Sequence, residues 1–339
     1  LRMSPQPSSD QKLSVFVTRR WPQAAEDALA DHFDVTFNED DVPLSRDALM
    51  DGFASHDIAA PTVSDSIDAD IIAAGAAERC RLIANYGVGV NHIDLAAASA
   101  SGMPVTNTPG VLTDATADIA MTLMLMLCRR AGEGERELRA GDWAGWRPTH
   151  LVGRALSGKT LGIIGMGRIG RAVAQRAHFG FGMDVVFQNR SPVDDGASVG
   201  ARQLADVAAV CAASDFVSLH CAATPQTANI MNADAIAAMR PGGYLINTAR
   251  GDVVDETALA KALHSGAIGG AGLDVFHGEP AINSDLLSAP NTVLLPHLGS
   301  ATEETRVAMG MKCWKTPLPL PVARRYPTRW HDDPIASMG

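Results

Sequence analysis

Thr-Leu-Gly-Ile-Ile-Gly-Met-Gly-Arg-Ile-Gly, residues 160–170, has the pattern of an apolar strand running into a glycine-rich turn. Gly165, Gly167 and Gly170 stand at the spacing G-x-G-x-x-G, and a helical stretch, Arg171 to His178, follows. The first glycine permits a tight turn, the second lets the backbone approach a pyrophosphate, and the third lets helix and strand pack closely. The helix N-terminus adds free amides and partial positive charge. A ligand-free turn can carry the same spacing, but the flanking strand and helix favour a dinucleotide site.

Downstream, Val-Val-Phe-Gln-Asn-Arg-Ser-Pro, residues 185–192, reads as the second strand of that unit. Such strands usually end in an acid about twenty residues past the last glycine, where it accepts bonds from the adenine ribose and repels a 2′-phosphate. Here the end is Asn189, Arg190 and Ser191. These groups donate, and a guanidinium can fork onto phosphate oxygens. The missing acid points to NADP(H) as the preferred cofactor, with NAD(H) also admitted by the same pocket.

On either side, short apolar strands alternate with Ala-rich helices, the rhythm of parallel sheets. Leu13 to Thr18, Ile71-Ile72 and Leu82 to Ala84 read as strands and Pro22 to His32 as a helix. Thr113 to Arg130 reads as one long helix, Gly132 to Arg139 continues helical, and Gly141 to Pro148 is a loop. A second series of strands lies near 160–164, 184–188, 215–219, 243–247, 270–274 and 292–295. The expected fold class is α/β, with two Rossmann-like domains, the nucleotide-binding one inserted into the other. The chain crosses between them near 108 and 295, giving a substrate-binding domain of residues 1–108 plus 295–312 and a nucleotide-binding domain of 109–294.

Composition bounds the function. With 339 residues and 46% hydrophobic content, two cores are the default. The 28 basic and 38 acidic residues give a net charge of −10, which disfavours nucleic acid or an anionic membrane as partner. The five cysteines show no paired spacing, so neither a disulfide framework nor a metal site is expected, and a cytoplasmic location fits. The apolar run Ile119 to Cys128 is too short to span a bilayer, no signal peptide is expected, and the Met-rich face suits a buried or dimer-contact helix.

Three later strand ends carry chemistry. Asn247-Thr248-Ala249-Arg250-Gly251 puts an arginine where α/β sheets bind ligands, Asp274 to Pro280 contains Glu279, and Pro296 to Ser300 contains His297. Singly, these are a surface charge, a loop carboxylate and an ordinary histidine. On consecutive strands of one nucleotide-binding sheet they supply a carboxylate clamp, an acid/base and a group to orient it.

With Asn85-Tyr86-Gly87-Val88-Gly89, Gly110 to Asp118, Gly165 to Gly170, Asn247 to Gly251, Gly272 to Pro280 and Pro296 to Ser300 in this order, the chain resembles the D-isomer-specific 2-hydroxyacid dehydrogenases, and within them the glyoxylate/hydroxypyruvate reductase branch. The resemblance implies that Arg250, Glu279 and His297 are catalytic, and that Val88 and Gly89 offer amides to the substrate carboxylate. It implies cofactor contacts from Thr116, Gly165, Met166, Gly167, Arg168, Ile169, Gly170, Asn189, Arg190, Ser191, His220, Thr227, Thr248, Asp274, His297 and Gly299, with Asp274 holding the nicotinamide carboxamide. It further implies a homodimer formed through the helix from about 114, with the Trp143 and Trp146 loop reaching the partner's site, although interface packing explains those tryptophans equally well.

The expected reaction is reduction of a small 2-keto acid to the D-2-hydroxy acid, glyoxylate or hydroxypyruvate or a D-glycerate or D-lactate counterpart, with His297 as general acid. Glu279 argues against a formate dehydrogenase. A phosphoglycerate dehydrogenase with a regulatory domain would need room after residue 312. A nicotinamide-sensing binding protein or corepressor built on the same fold stays open, because it can retain the triad.

After Lys312 the resemblance calls for a continuing amphipathic helix, commonly Lys-Val-Leu-Glu-Asn. The chain instead reads Cys313-Trp314-Lys315-Thr316, then Pro317, Pro319, Pro321 and Pro327. The codons gtg-ctg-gaa-aac, read one base later, give Cys-Trp-Lys and the start of Thr. Residues 313–339 are therefore expected to be a frame-shifted tail without a packed core, against the alternative of a polyproline docking segment.

Overall fold

The two runs of alternating strands and helices become two parallel sheets in the computed structural model, which describes residues 12–193 and 199–315. The first run is β1 (Ser14–Val17), α1 (Gln23–His32), β2 (Asp34–Phe37), α2 (Arg46–Ser55), β3 (Ile58–Ala60), α3 (Ala69–Ala77), β4 (Leu82–Ala84), α4 (Leu95–Ala100) and β5 (Val105–Thr106). Its strands pair in the order β2-β1-β3-β4-β5, all parallel, as in flavodoxin-like sheets. Two helices follow, α5 (Thr113–Arg129) and α6 (Ala131–Ala140).

The second run begins with β6 (Thr160–Ile164), α7 (Arg168–Phe181), β7 (Asp184–Gln188), β8 (Arg202–Gln203), α8 (Val207–Ala213) and β9 (Phe216–Leu219). It continues with α9 (Ala233–Ala237), β10 (Tyr244–Asn247), α10 (Glu256–His264), β11 (Gly270–Leu273), α11 (Ser284–Leu287) and β12 (Thr292–Leu294). The sheet order is β12-β11-β10-β9-β6-β7-β8, the doubly wound Rossmann arrangement. Winding reverses between β6 and β9, which opens a crevice at their carboxyl ends. A last helix, α12 (Glu303–Lys315), packs on α1 beside the first sheet.

Central strands of both sheets are buried throughout, which is why they read as unbroken apolar runs rather than alternating ones. On one face of the second sheet Leu161, Ile163 and Phe187 pack against α5 and α7. On the other, Val217, Leu245 and Ile164 pack against residues of α8 to α10. The Met-rich run of α5 is mostly core: Met121 and Met124 are buried, and Gly272 of β11 leaves the room that Leu123 and Leu127 occupy. No helix among the described residues is long and apolar enough to cross a membrane.

Several local expectations change. Ile71 and Ile72 lie inside α3, not on a strand; Asp68 caps that helix by accepting from the Asp70 and Ile71 amides, and both isoleucines are fully buried, so tertiary burial overrides their β-branched preference. The helix after the glycine turn begins at Arg168 rather than Arg171 and runs to Phe181. Strands β2, β3, β5 and β8, of two to four residues, are additional to those expected.

The first residues of the expected tail, 313–315, lie in a helix. Cys313 and Trp314 continue α12: the Cys313 thiol is buried and donates to Ala84 O at 2.9 Å, and the Trp314 ring lies against His32 and Phe33. Packing there leaves only a cavity of about 10 Å³, bounded by Trp21, Leu29 and Trp314 among others. The proline-rich residues 316–339 lie outside the described residues.

Candidate active site

The glycine turn is built as its spacing requires. Gly165 has φ +98°, a region that side chains avoid, and a Cβ there would collide with the His220 and Cys221 backbone across the β6–β9 crevice. A Cβ on Gly170 would meet Gly165 O, so α7 can sit close to its strand only with glycine there. Gly167 is different: nothing lies near its Cβ position, and as N-cap of α7 it offers no side chain to the helix amides. The turn thus presents open space and unsatisfied N–H groups to an anion, the donor set a pyrophosphate needs.

Asn189 and Gln203 brace this turn. Asn189 Oδ1 accepts from Met166 N at 3.2 Å, its Nδ2 donates to Ser191 O at 3.0 Å, and Gln203 Nε2 donates to Asn189 O at 3.1 Å. Asn189 therefore shapes the β7 end and retains little donor capacity, whereas Arg190 is exposed. Arg168 is exposed at the first turn of α7, and Ile169 is half-buried. At the neighbouring strand ends, His220 bonds Ser218 Oγ at 2.8 Å and lies 3.5 Å from Thr248 Oγ1. Burial pushes its pKa down to about 3. The hydroxyls of Thr227 and Thr116 are engaged internally, with Ala222 O at 2.6 Å and Gly299 O at 3.0 Å.

His297, just past β12, adopts φ +57°, unusual for a side-chain-bearing residue. Asp274, at the end of β11, holds it there. The His297 amide donates to Asp274 O at 2.9 Å, and the Leu298 and Gly299 amides donate to the two Asp274 carboxylate oxygens at 2.7 Å each. Burial of that carboxylate pushes its pKa up, against the pull of those amides and of His297. The strained turn points the imidazole at Glu279, whose Oε2 is 2.8 Å from His297 Nδ1 while its Oε1 accepts from Phe276 N at 2.8 Å. Burial alone raises the Glu279 pKa; the bond to His297 and its charge outweigh this, so the net shift is downward.

Arg250, after β10, completes the group. Asn247 ties its turn by donating to Arg250 O at 2.8 Å, and Gly251 lets the Phe276–His277 backbone approach closely. The guanidinium crosses to the first sheet, where Nε donates to Asn91 Oδ1 at 3.1 Å and Nη2 lies against Gly89. Desolvation lowers its pKa against the attraction of Glu279 and Asp252. Gly89, with Val88 beside it in the chain, thus meets Arg250 across the cleft. Trp146, 81% exposed on the loop after α6, does not join it within this chain.

Asn91, Asn247 and the His277–Asp252 pair at 2.6 Å escaped the sequence reading. Asn247 was within reach of it, as an asparagine ending a strand two residues before a turn. Asn91 and the His277 pair were not, since their partners lie far along the chain.

Two parallel doubly wound sheets, a glycine turn at the switch point and a His–Glu pair beside an arginine in the cleft agree with what known proteins show. Residues 121–299 match the family described as D-isomer specific 2-hydroxyacid dehydrogenase, NAD binding domain. The chain belongs to the D-isomer-specific 2-hydroxyacid dehydrogenases. It is similar to a glyoxylate reductase of Thermococcus litoralis, 40% identical over 302 residues that cover 88% of this chain and 90% of that one. It is also similar to a glycerate dehydrogenase of Hyphomicrobium methylovorum, 39% identical over 88% of this chain and 92% of that one. Among solved structures, an NADPH-dependent glyoxylate/hydroxypyruvate reductase of Sinorhizobium meliloti in complex with NADP and malonate superposes with a TM-score of 0.77, at 33% identity, covering 89% of this dehydrogenase and 91% of that chain. This chain is accordingly an NAD(P)-dependent D-2-hydroxyacid dehydrogenase.

Proposed function

We propose that this dehydrogenase reduces small 2-keto acids, glyoxylate or hydroxypyruvate, to D-2-hydroxy acids, with NADPH preferred to NADH. The observation that carries the reading is the His297–Glu279 pair at 2.8 Å beside Arg250. Glu279 occupies Nδ1, which leaves Nε2 of the imidazolium to give a proton to the keto oxygen and, in the reverse direction, the neutral Nε2 to take it. Arg250 binds the substrate carboxylate and stabilises negative charge growing on the carbonyl oxygen. A bound nicotinamide supplies the hydride in reduction and accepts it in oxidation. Residues 165–170 and the N-terminus of α7 would hold its pyrophosphate, Arg190 and Ser191 the 2′-phosphate, and Thr248 and Asp274 would lie toward the nicotinamide.

The same reading divides the chain into a substrate unit, residues 1–108 and from 295 through α12, and a nucleotide unit between them. It also makes the protein a homodimer. Leu138, Trp143, Trp146 and Val152 are all strongly exposed on α6 and its following loop, an apolar surface of the kind oligomers bury. A cavity of about 560 Å³ between α5, α6 and the edge strand β12, with none of the triad in its wall, lies on the same side. Sedimentation of the purified protein should give twice the chain mass.

Nicotinamide absorbance tests the activity, with both cofactors and a panel of 2-keto acids. Turnover of NADPH with glyoxylate or hydroxypyruvate at ordinary enzymatic rates is expected. Nucleotide binding without turnover of any 2-keto acid would favour a nicotinamide-sensing binding protein instead.

A further inference from the structure

In the loop after β4, three successive carbonyls are all taken by side-chain amides. Asn85 Nδ2 donates to Gly87 O and to Gly89 O, each at 3.0 Å, and Asn107 Nδ2 donates to Val88 O at 2.9 Å; Gly87 O also accepts from the Thr108 amide at 3.0 Å, which leaves Val88 O and Gly89 O held by side chains. Each planar trans peptide places its N–H opposite its carbonyl. Anchoring Gly87 O therefore fixes the Val88 N–H, and anchoring Val88 O fixes the Gly89 N–H. Neither amide donates to any protein group among the described residues. Arg250 Nη2 lies against Gly89, so the free amides and the guanidinium border one place.

Asn85 can donate twice only if its oxygen faces elsewhere. That oxygen lies 2.9 Å from His92 Nε2. The direction of the chain fixes the tautomer: His92 carries its proton on Nε2, and its buried Nδ1 has no partner. Burial and the charge of Arg250 keep the ring neutral, its pKa pushed down to about 4.

We propose that His92 is a positioning residue for carboxylate binding: its Nε2–H orients the Asn85 amide, and Asn85 with Asn107 turns the loop carbonyls away so that the Val88 and Gly89 N–H groups face the substrate carboxylate. This rests on the 2-keto acid reading above and adds its orienting machinery. Without the His92 donor, the buried Asn85 oxygen is unsatisfied, so the amide loses the bond that fixes its plane and its hold on the two carbonyls loosens.

The test uses the full-length protein with NADPH. His92→Leu fills the site without a donor, and His92→Gln returns an amide N–H near the position of Nε2. The leucine variant should raise KM for glyoxylate and Kd for oxamate about ten-fold or more, with kcat and NADPH affinity little changed. Glutamine should recover most of that loss, and Asn107→Ala, which frees Val88 O independently, should also weaken oxamate binding. Unchanged KM and oxamate affinity in His92→Leu would overturn the inference. So would a joint fall of kcat, NADPH affinity and thermal stability that glutamine does not reverse. If the unmodified protein reduces no 2-keto acid, the functional reading fails by itself; oxamate binding to the NADPH complex then still judges the loop, and equal affinity in both proteins, or none in either, overturns it.

Discussion

His297 sits in a left-handed backbone conformation that most residues avoid, and three consecutive amides, at 297, 298 and 299, gather around Asp274 to keep it there. The turn aims one ring nitrogen at Glu279 and leaves the other for the proton transfer proposed above. His297→Ala should therefore lower kcat for 2-keto acid reduction by roughly 10²–10⁴-fold while NADPH still binds, as fluorescence titration can check. Near-normal turnover would remove His297 from the mechanism. Arg190 makes a separable contribution, because Asn189 is committed to Met166 N and Ser191 O and the exposed guanidinium is the charge left at the β7 end. Arg190→Ala should raise KM for NADPH roughly 10- to 100-fold and leave KM for NADH nearly unchanged. Equal losses with both cofactors would show that Arg190 does not read the 2′-phosphate.

Between β6 and α7, three glycines of one motif face different environments, and substitutions should separate them. Gly165→Ala puts a methyl group into the His220–Cys221 backbone at a positive φ and should cost roughly 1–3 kcal/mol of stability, seen as a lower denaturant midpoint. Gly167→Ala meets nothing within the protein, so the midpoint should hold while nucleotide affinity falls. A Gly167→Ala protein that binds NADPH normally would mean the pyrophosphate lies elsewhere. Cys313 and Trp314 extend α12 and cover the α1 side of the first sheet, although prolines follow closely in sequence. Proline constrains its own residue and the one before it, so it leaves the earlier turns of a helix intact.

For the molecule as a whole, acid stability should depend in part on two half-buried histidines, His92 and His220. Burial lowers His92, with help from Arg250, to about 4, and burial lowers His220 to about 3, both from an ordinary 6.5. Below that ordinary value the unfolded chain takes up protons that the folded chain refuses, so stability falls as pH drops from 6.5 toward the folded values. Replacing both by glutamine should flatten the loss of denaturant midpoint between about pH 7 and about pH 5. An unchanged slope would mean that both rings already titrate freely in the folded protein. Each ring also stands near the proposed reaction path, His220 beside Thr248 and His92 behind the Gly89 loop, so their neutrality keeps further positive charge away from Arg250.

The sequence by itself determined the features written in neighbouring residues: the glycine turn with its strand and helix, the acid-free end of β7, and Arg250, Glu279 and His297 on successive strand ends. Such signals depend on backbone geometry and residue chemistry within a few positions, where a single chain reads unambiguously. The same locality misled at Ile71-Ile72, whose β-branched pair lies in a helix because the first sheet buries it there. Only the tertiary structure decided the strand orders that create the crevice, the meeting of Gly89 and Asn91 with Arg250 across it, and the relay from His92 through Asn85 to the loop carbonyls. It alone placed His297 within bonding distance of Glu279. The Arg250 contacts join residues more than a hundred and fifty positions apart. Their reason is packing: two sheets that must each bury both faces leave one cleft, and the polar groups brought to it must find partners there or hold them ready for a ligand.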